Sequence, residues 1–385
     1  MQTPKPWTDR GQHALMPQGS HDEAARFNVI ANLNAFMAAR VLPTVRAACE
    51  QRASQAFRLQ QGRDIETMAD VGVALAADPA YQAWSALRRN AMETRQQAGR
   101  SLVLRQAQDL AARAADLNAG SDRLQLDDSL PIPDYVADGD QHLMPGGYAG
   151  ELFPGDVSGP ANYDAGIFAT LGGGSGPWSD LAGRALVGWL KAQHPDFRPR
   201  RILDMGCGIA HNTLPLREAF PDAEILAIDV AVPMLRYGHA RAQSLGVTDV
   251  TFRQADATST GLASGSFDLV FTTMVLHETS RAAVEAMFAE AHRLLAPGGL
   301  TIHLEQPPYR LFGPFEQFMR DWDGRNNNEP FWSELHRMSL PEALVRAGFA
   351  QPEVFEAEAG EARSPGQVED FGRAPKWYTV GAWRR

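Results

Sequence analysis

Ile202-Leu203-Asp204-Met205-Gly206-Cys207-Gly208-Ile209-Ala210 is the stretch from which the rest of the chain is read. An apolar strand runs into a glycine-rich turn, and a helical pattern follows. Glycine lacks a Cβ, so such a turn can take left-handed backbone angles and let a ligand come close to the main chain. Strand, turn and helix in this order form the ligand-bearing corner of an open α/β sheet. A Gly-x-Gly pair alone discriminates little. A dinucleotide fingerprint requires Gly-x-Gly-x-x-Gly, and His211 stands where its third glycine belongs.

The surroundings of the loop supply the discrimination. Apolar runs at Arg201–Met205, Glu224–Val230, Val250–Gln254, Phe267–Thr273 and Leu300–Leu304 alternate with helical patterns. That rhythm predicts a parallel sheet covered by helices on both faces. Pro352–Glu358 and Lys376–Trp383 predict two further strands. The second run ends in Asp229, placed so that a carboxylate can accept both hydroxyls of a ribose. The third leads through Phe252-Arg253-Gln254-Ala255 to Asp256 and Ala257. Phe267-Asp268-Leu269-Val270 opens the fourth, and Leu294-Leu295-Ala296-Pro297-Gly298-Gly299 turns into the fifth.

Taken together and in this order, these segments resemble the class I S-adenosylmethionine (SAM)-dependent methyltransferases, over about Tyr163 to Arg385. The resemblance implies an α/β, Rossmann-like, seven-stranded and mostly parallel sheet whose last strand is antiparallel. SAM is the cofactor it implies. Asp204, Gly206 and Gly208 match the family's first motif, with Ala210 in place of its third glycine. Asp229 is then expected on the ribose, Asp256 with the adjoining Ala257 at the adenine, and Tyr163 over the methionine end. His277, in Met274-Val275-Leu276-His277-Glu278, resembles the histidine base of small-molecule O-methyltransferases, and Glu278 stands where that family has aspartate. An imidazole near neutral pKa suits the removal of a proton. Glu305, at the end of the fifth strand, is expected to orient His277 or to meet the substrate. Gln306-Pro307-Pro308-Tyr309 is similar to the Asn-Pro-Pro-Tyr box of amide N-methyltransferases. It follows the fifth strand rather than the fourth and reads as a stiff turn.

The N-terminal half has another character. Residues 1–20 read as a disordered lead-in, and residues 21–120 as an all-helical domain serving as a lid or for dimerisation. Ser20 and Glu23 have capping-box spacing, and Phe27, Ile30, Leu33, Met37 and Val41 keep helical intervals until Pro43 interrupts them. A second helix is expected over Asp64 to Ala77. Asp78-Pro79 caps and starts a third that runs toward Gly120, with a break near Gly99. Residues 121–177 are rich in proline and glycine and read as a connector, with Asp140, His142 and Tyr148 as candidate substrate contacts. Residues 178–385 form the cofactor domain, and 309–332 an aromatic insertion able to wall a substrate pocket.

Composition narrows the function. The net charge is −10, which argues against a nucleic-acid phosphate backbone as the main partner. Two cysteines make no zinc or disulfide pattern, and no metal-ligand spacing stands out among the histidines. There is no apolar run long enough for a membrane span and no signal-peptide pattern, so a cytoplasmic protein is expected. The leading expectation is methyl transfer to a small organic molecule, on oxygen with His277 as base, by a possible homodimer. The alternatives are N-, S- or C-methylation by alignment without a base, a non-catalytic SAM-binding regulator, and a nicotinamide oxidoreductase.

Overall fold

The computed structural model describes residues 3–137, 139–362 and 376–385. Its centre is a sheet of eight strands: β1 (Leu124–Gln125), β2 (Arg201–Met205), β3 (Glu224–Asp229), β4 (Val250–Gln254), β5 (Phe267–Thr273), β6 (Leu295–Glu305), β7 (Val354–Glu361) and β8 (Lys376–Trp383), in the order β1-β4-β3-β2-β5-β6-β8-β7. β8 pairs antiparallel with both β6 and β7, and the remaining pairings are parallel. The seven expected strands are therefore present with the expected hand of the last one. An eighth, β1, adds two residues to the β4 edge, with Leu124 opposite Phe252. Two residues carry no readable alternation, which is why the sequence gives no sign of it.

The inner strands β2, β3, β5 and β6 are largely buried on both sides, as a parallel sheet requires, whereas the edge strands β1 and β7 are partly exposed. One face is packed by Leu186 and Leu190 of the helix Leu181–Gln193, Leu216 of Thr213–Ala219 and Leu235 of Val232–Ser244. Val284, Met287 and Leu294 of Arg281–Leu294, with Leu340 and Leu344 of Leu340–Arg346, pack the other.

The N-terminal residues depart from expectation in four places. Residues 3–20 are not a loose lead-in: Trp7 is buried, stacks on Phe27 with ring centroids 4.6 Å apart, and donates its indole N–H to Ala165 O at 2.8 Å. One large aromatic with a satisfied N–H is enough to pin the segment. Met1 and Gln2 lie outside the described residues. Helical structure also does not stop at Pro43. A π turn over Met37–Val41 lets Leu42 N reach Met37 O, so the coil widens ahead of the proline and continues to Gln61.

The third helix, Pro79–Leu104, is capped by Asp78 as expected but passes straight through Gly99. Its break falls at Arg105-Gln106, before Ala107–Asn118. Gly99 is there for packing: an added Cβ would lie 1.8 Å from Asn162 Oδ1. Finally, the Pro/Gly-rich stretch 121–177 is more than a connector. Besides β1 it contains the helix Ser158–Thr170, whose Ala161, Ala165 and Phe168 are buried against neighbouring helices. Small residues hide its amphipathic pattern, because a helix buried all round shows no polar face.

Candidate active site

The carboxyl ends of β2 to β5 open into a cavity of about 380 Å³. Its second wall is Pro79–Leu104, which presents Arg88, Ala91, Met92 and Arg95, and its third is the stretch from Tyr135 to Leu171. Residues from both halves of the chain thus enclose one space, of a size usual for small-molecule sites.

After β2 the chain turns with positive φ at Gly206 (78°), Gly208 (51°) and Ala210 (63°). Gly206 and Cys207 both donate their N–H to Ile228 O, at 2.8 and 2.9 Å, which holds the loop over the end of β3. An added Cβ at Gly206 would meet Val275 at 2.7 Å, so the first glycine is needed for close packing. At Gly208 nothing lies within 4 Å of that position. There the backbone faces open space in the cavity wall.

Asp229 lines the cavity and accepts Gly208 N and Ala231 N at 2.9 Å each, one on either oxygen. Burial pushes its carboxyl above the ordinary value. Asp256 Oδ1 accepts both Thr258 N and Thr258 Oγ1 at 2.8 Å, which leaves Oδ2 without a partner among the described residues. Ala257 and Tyr163 line the same space. Asp204 does not. It is buried beneath the loop, where Oδ2 accepts Thr213 Oγ1 at 2.5 Å and Oδ1 has no partner among the described residues. Burial pushes its carboxyl up to about 7.

These residues fit a nucleoside cofactor with an amino-acid tail. Two carboxylates with open lone pairs suit ribose hydroxyls and an exocyclic amine.

A second constellation lies past β5. Met274 takes a positive φ of 55°, a strained angle for a side chain of its size. The chain then turns through Leu276–Glu278 and brings His277 into the wall. Glu305, at the end of β6, is fully buried; its Oε2 lies 2.8 Å from His277 Nδ1, and its Oε1 accepts Leu276 N at 2.8 Å. Glu305 thereby positions His277 and does not itself line the cavity. On the other ring nitrogen, Nε2 lies 3.5 Å from Glu278 Oε1. That same oxygen accepts Tyr148 OH at 2.9 Å and lies 2.8 Å from His142 Nε2. His142 Nδ1 in turn lies 3.2 Å from Glu329 Oε1. The second oxygens of Glu278 and Glu329 are buried without a partner among the described residues.

With three carboxylates and two imidazoles in one desolvated cluster, neutral histidines would leave three uncompensated negative charges. Burial by itself would lower both histidines, but Glu305 and Glu278 around His277, and Glu278 and Glu329 around His142, hold both in the charged form; His142 is raised to about 10.

Residues 202–299 match the model of a family described as a methyltransferase domain. The matched residues form a class I SAM-dependent methyltransferase domain. SAM is the cofactor of this methyltransferase family, and the glycine loop, Asp229 and Asp256 lie within the matched residues. The chain is 38% identical over 110 residues to a demethylmenaquinone methyltransferase of Thermus thermophilus, covering 29% of this chain and 49% of the relative. It is 32% identical over 160 residues to a malonyl-[acyl-carrier protein] O-methyltransferase of Laribacter hongkongensis, covering 40% and 52%. The chain thus spans about half the length of these curated relatives. Among solved structures it is similar to geranyl diphosphate C-methyltransferase from Streptomyces coelicolor, with a TM-score of 0.42 at 14% identity over 58% of this chain and 81% of that one.

The methyltransferase site gathers some sequence-predicted residues and leaves out others. Gly206, Gly208, Asp229, Asp256, Ala257, Tyr163 and His277 all face the cavity, whereas Asp204 and Glu305 stand behind it. Of the three connector candidates, His142 and Tyr148 reach the wall; Asp140 instead accepts Gly146 N at 2.8 Å. Most of the aromatic insertion faces elsewhere: Phe315, Phe318 and Trp322 pack with Val45, Leu75 and Trp84 of the N-terminal helices. Only Trp332 of its aromatic residues lines the cavity, edge-on to His277 at 5.2 Å. Asp323 lines it too but is ion-paired with Arg88 at 2.9 Å.

Arg95, Tyr135 and Glu329 escaped the sequence reading. A signal for Arg95 existed. It falls in the apolar stripe Trp84, Arg88, Ala91, Met92, Arg95, Leu102, where a charged residue requires a reason. Among the described residues no cluster of side chains suits a metal ion, and no helix is long and apolar enough to cross a membrane.

Proposed function

We propose that this chain transfers the methyl group of SAM to a hydroxyl of a small organic molecule held in the cavity. The observation that carries the reading is the shared wall. Asp229 and Asp256 face the same space as Glu278, whose buried Oε2 has no partner among the described residues. Asp229 would hold the ribose and Asp256 the adenine, with Gly208 giving the backbone room and Tyr163 covering the methionine end. When bound, SAM supplies a methyl carbon already activated by its sulfonium, whose leaving group needs no proton.

The remaining work is alignment, exclusion of water and disposal of one proton. Glu305 and Glu278 favour the charged form of His277, and we therefore assign the proton to Glu278 rather than to the imidazole. Glu278 has the open lone pairs. Its Oε2 would accept the acceptor's O–H and take the proton as the new C–O bond makes that oxygen strongly acidic. His277, fixed by Glu305, steers Glu278 and balances its charge. The curated relative named as an O-methyltransferase agrees with an oxygen acceptor.

The test has two steps. Calorimetry with SAM comes first. Release of S-adenosylhomocysteine follows, measured with phenols, aliphatic alcohols and amines. Turnover with a hydroxyl acceptor, lowered about 10²- to 10⁴-fold in Glu278→Gln, is the expected outcome. Turnover with amines alone, or full activity in Glu278→Gln, would overturn the assignment.

A further inference from the structure

Two arginines project from Pro79–Leu104 into the cavity, two turns apart on one face, and they differ in one respect. Arg88 has its carboxylate, Asp323, at 2.9 Å. Arg95 has none among the described residues. It is 8% exposed, and its Nε and Nη1 are buried without a hydrogen-bond partner among them. The helix Ser158–Thr170 makes room for it with a glycine, since an added Cβ at Gly166 would lie 2.4 Å from the guanidinium. A desolvated, uncompensated cation is unfavourable in any fold, and a guanidinium fork matches the two oxygens of a carboxylate or phosphate.

From this we infer that Arg95 receives an anionic group of the methyl acceptor, so that the substrate is an acid: an apolar body with a carboxylate or phosphate at one end and the methylated hydroxyl at the other. The inference rests on the methyl-transfer reading above and names its substrate class.

The position favours the acceptor over the cofactor. The cofactor residues are expected at the strand ends, Gly206, Asp229 and Asp256, whereas Arg95 comes from the helix Pro79–Leu104 and stands near Tyr163 and Tyr148. It lies on the side of Tyr148, whose hydroxyl donates to Glu278 at 2.9 Å. The stretch of wall it shares with Ala91, Met92 and Ile167 is apolar. Anion site and proton acceptor therefore bracket a space suited to the body of such a molecule.

The protein saturated with S-adenosylhomocysteine is titrated with 4-hydroxybenzoate, 4-hydroxyphenyl phosphate and the neutral methyl 4-hydroxybenzoate, read by calorimetry and by the fluorescence of Trp332 and Trp377 in the cavity wall. One of the two anions is expected to bind at least tenfold more tightly than the ester, and which one it is separates carboxylate from phosphate. Arg95→Gln should abolish that preference while leaving the ester and SAM affinities within threefold of the wild type. Arg95→Lys, which keeps the charge, should retain part of it and guards against misfolding.

No preference in the wild type, or an unchanged one in Arg95→Gln, overturns the inference. So does a tenfold loss of SAM affinity in Arg95→Gln without loss of the preference, which would assign Arg95 to the cofactor's own carboxylate. Absence of SAM binding in the wild type would instead remove the methyl-transfer reading, and an Arg95-dependent anion preference would then stand as a site of another activity.

Discussion

At the scale of single residues, charge is the organising quantity. Glu278 Oε1 already serves Tyr148 and His142, while the second oxygen is buried without a partner among the described residues. Asp229 is similar: each of its oxygens holds one backbone N–H and retains lone pairs toward the cavity. Asp229→Ala is expected to weaken SAM binding by about 1–3 kcal/mol, the consequence of leaving hydroxyl groups unpaired, as checked by calorimetry. Arg95 offers the converse test. If its charge is kept for a ligand, it is unfavourable for folding, and Arg95→Met should raise the unfolding free energy by about 1–3 kcal/mol in a urea titration. A fall instead would mean that the guanidinium is held by its surroundings.

At the scale of elements, close approach decides more than propensity. Gly183, in the first turn of Leu181–Gln193, donates its N–H to Asn212 Oδ1 at 2.8 Å, and a Cβ there would lie 2.6 Å from Asn212 O. The obstacle is backbone of the segment that leads from the cofactor loop into its helix. Gly183→Ala, ordinarily favourable in a helix, should therefore lower stability by about 1–3 kcal/mol, measured by urea unfolding. Gly99 and Gly166 play the same part where Pro79–Leu104 meets Ser158–Thr170. Their spacing carries no periodic signal, so the sequence reading placed a break at Gly99 where the structure has a contact. Pro43 misleads for a related reason: a π turn absorbs it, and the turn depends on what the widened coil packs against.

For the whole molecule, the cavity joins two halves, and its charged cluster ties stability to pH. His142, from the connector, is raised from 6.5 to about 10 by Glu278 and Glu329. A histidine with a raised folded pKa contributes in full below its unfolded value of 6.5 and loses that contribution as pH rises through about 10. The melting temperature should therefore decline between those limits, and His142→Gln, which cannot titrate, should flatten the decline. A parallel decline in wild type and variant would mean that His142 is not the group responsible.

The cofactor half was legible in the sequence because its ligand-facing residues sit at fixed offsets on a repeating strand-turn-helix unit. Gly206, Gly208, Asp229, Asp256 and His277 could be assigned to strand ends before any coordinate was known, since a strand's carboxyl end is fixed by its own apolar run. The seven strands and the capped helix after Asp78 follow from equally local rules. Only the tertiary structure decided what stands opposite them. Arg95, His142, Tyr148 and Glu329 meet the strand ends across the cavity from separate parts of the chain, and no local pattern relates their positions. It also set Glu305 and Glu278 around His277, at 2.8 and 3.5 Å from its two ring nitrogens. Periodicity records what each segment buries, whereas pairing across a cavity depends on how segments are set against one another, which the three-dimensional packing alone determines.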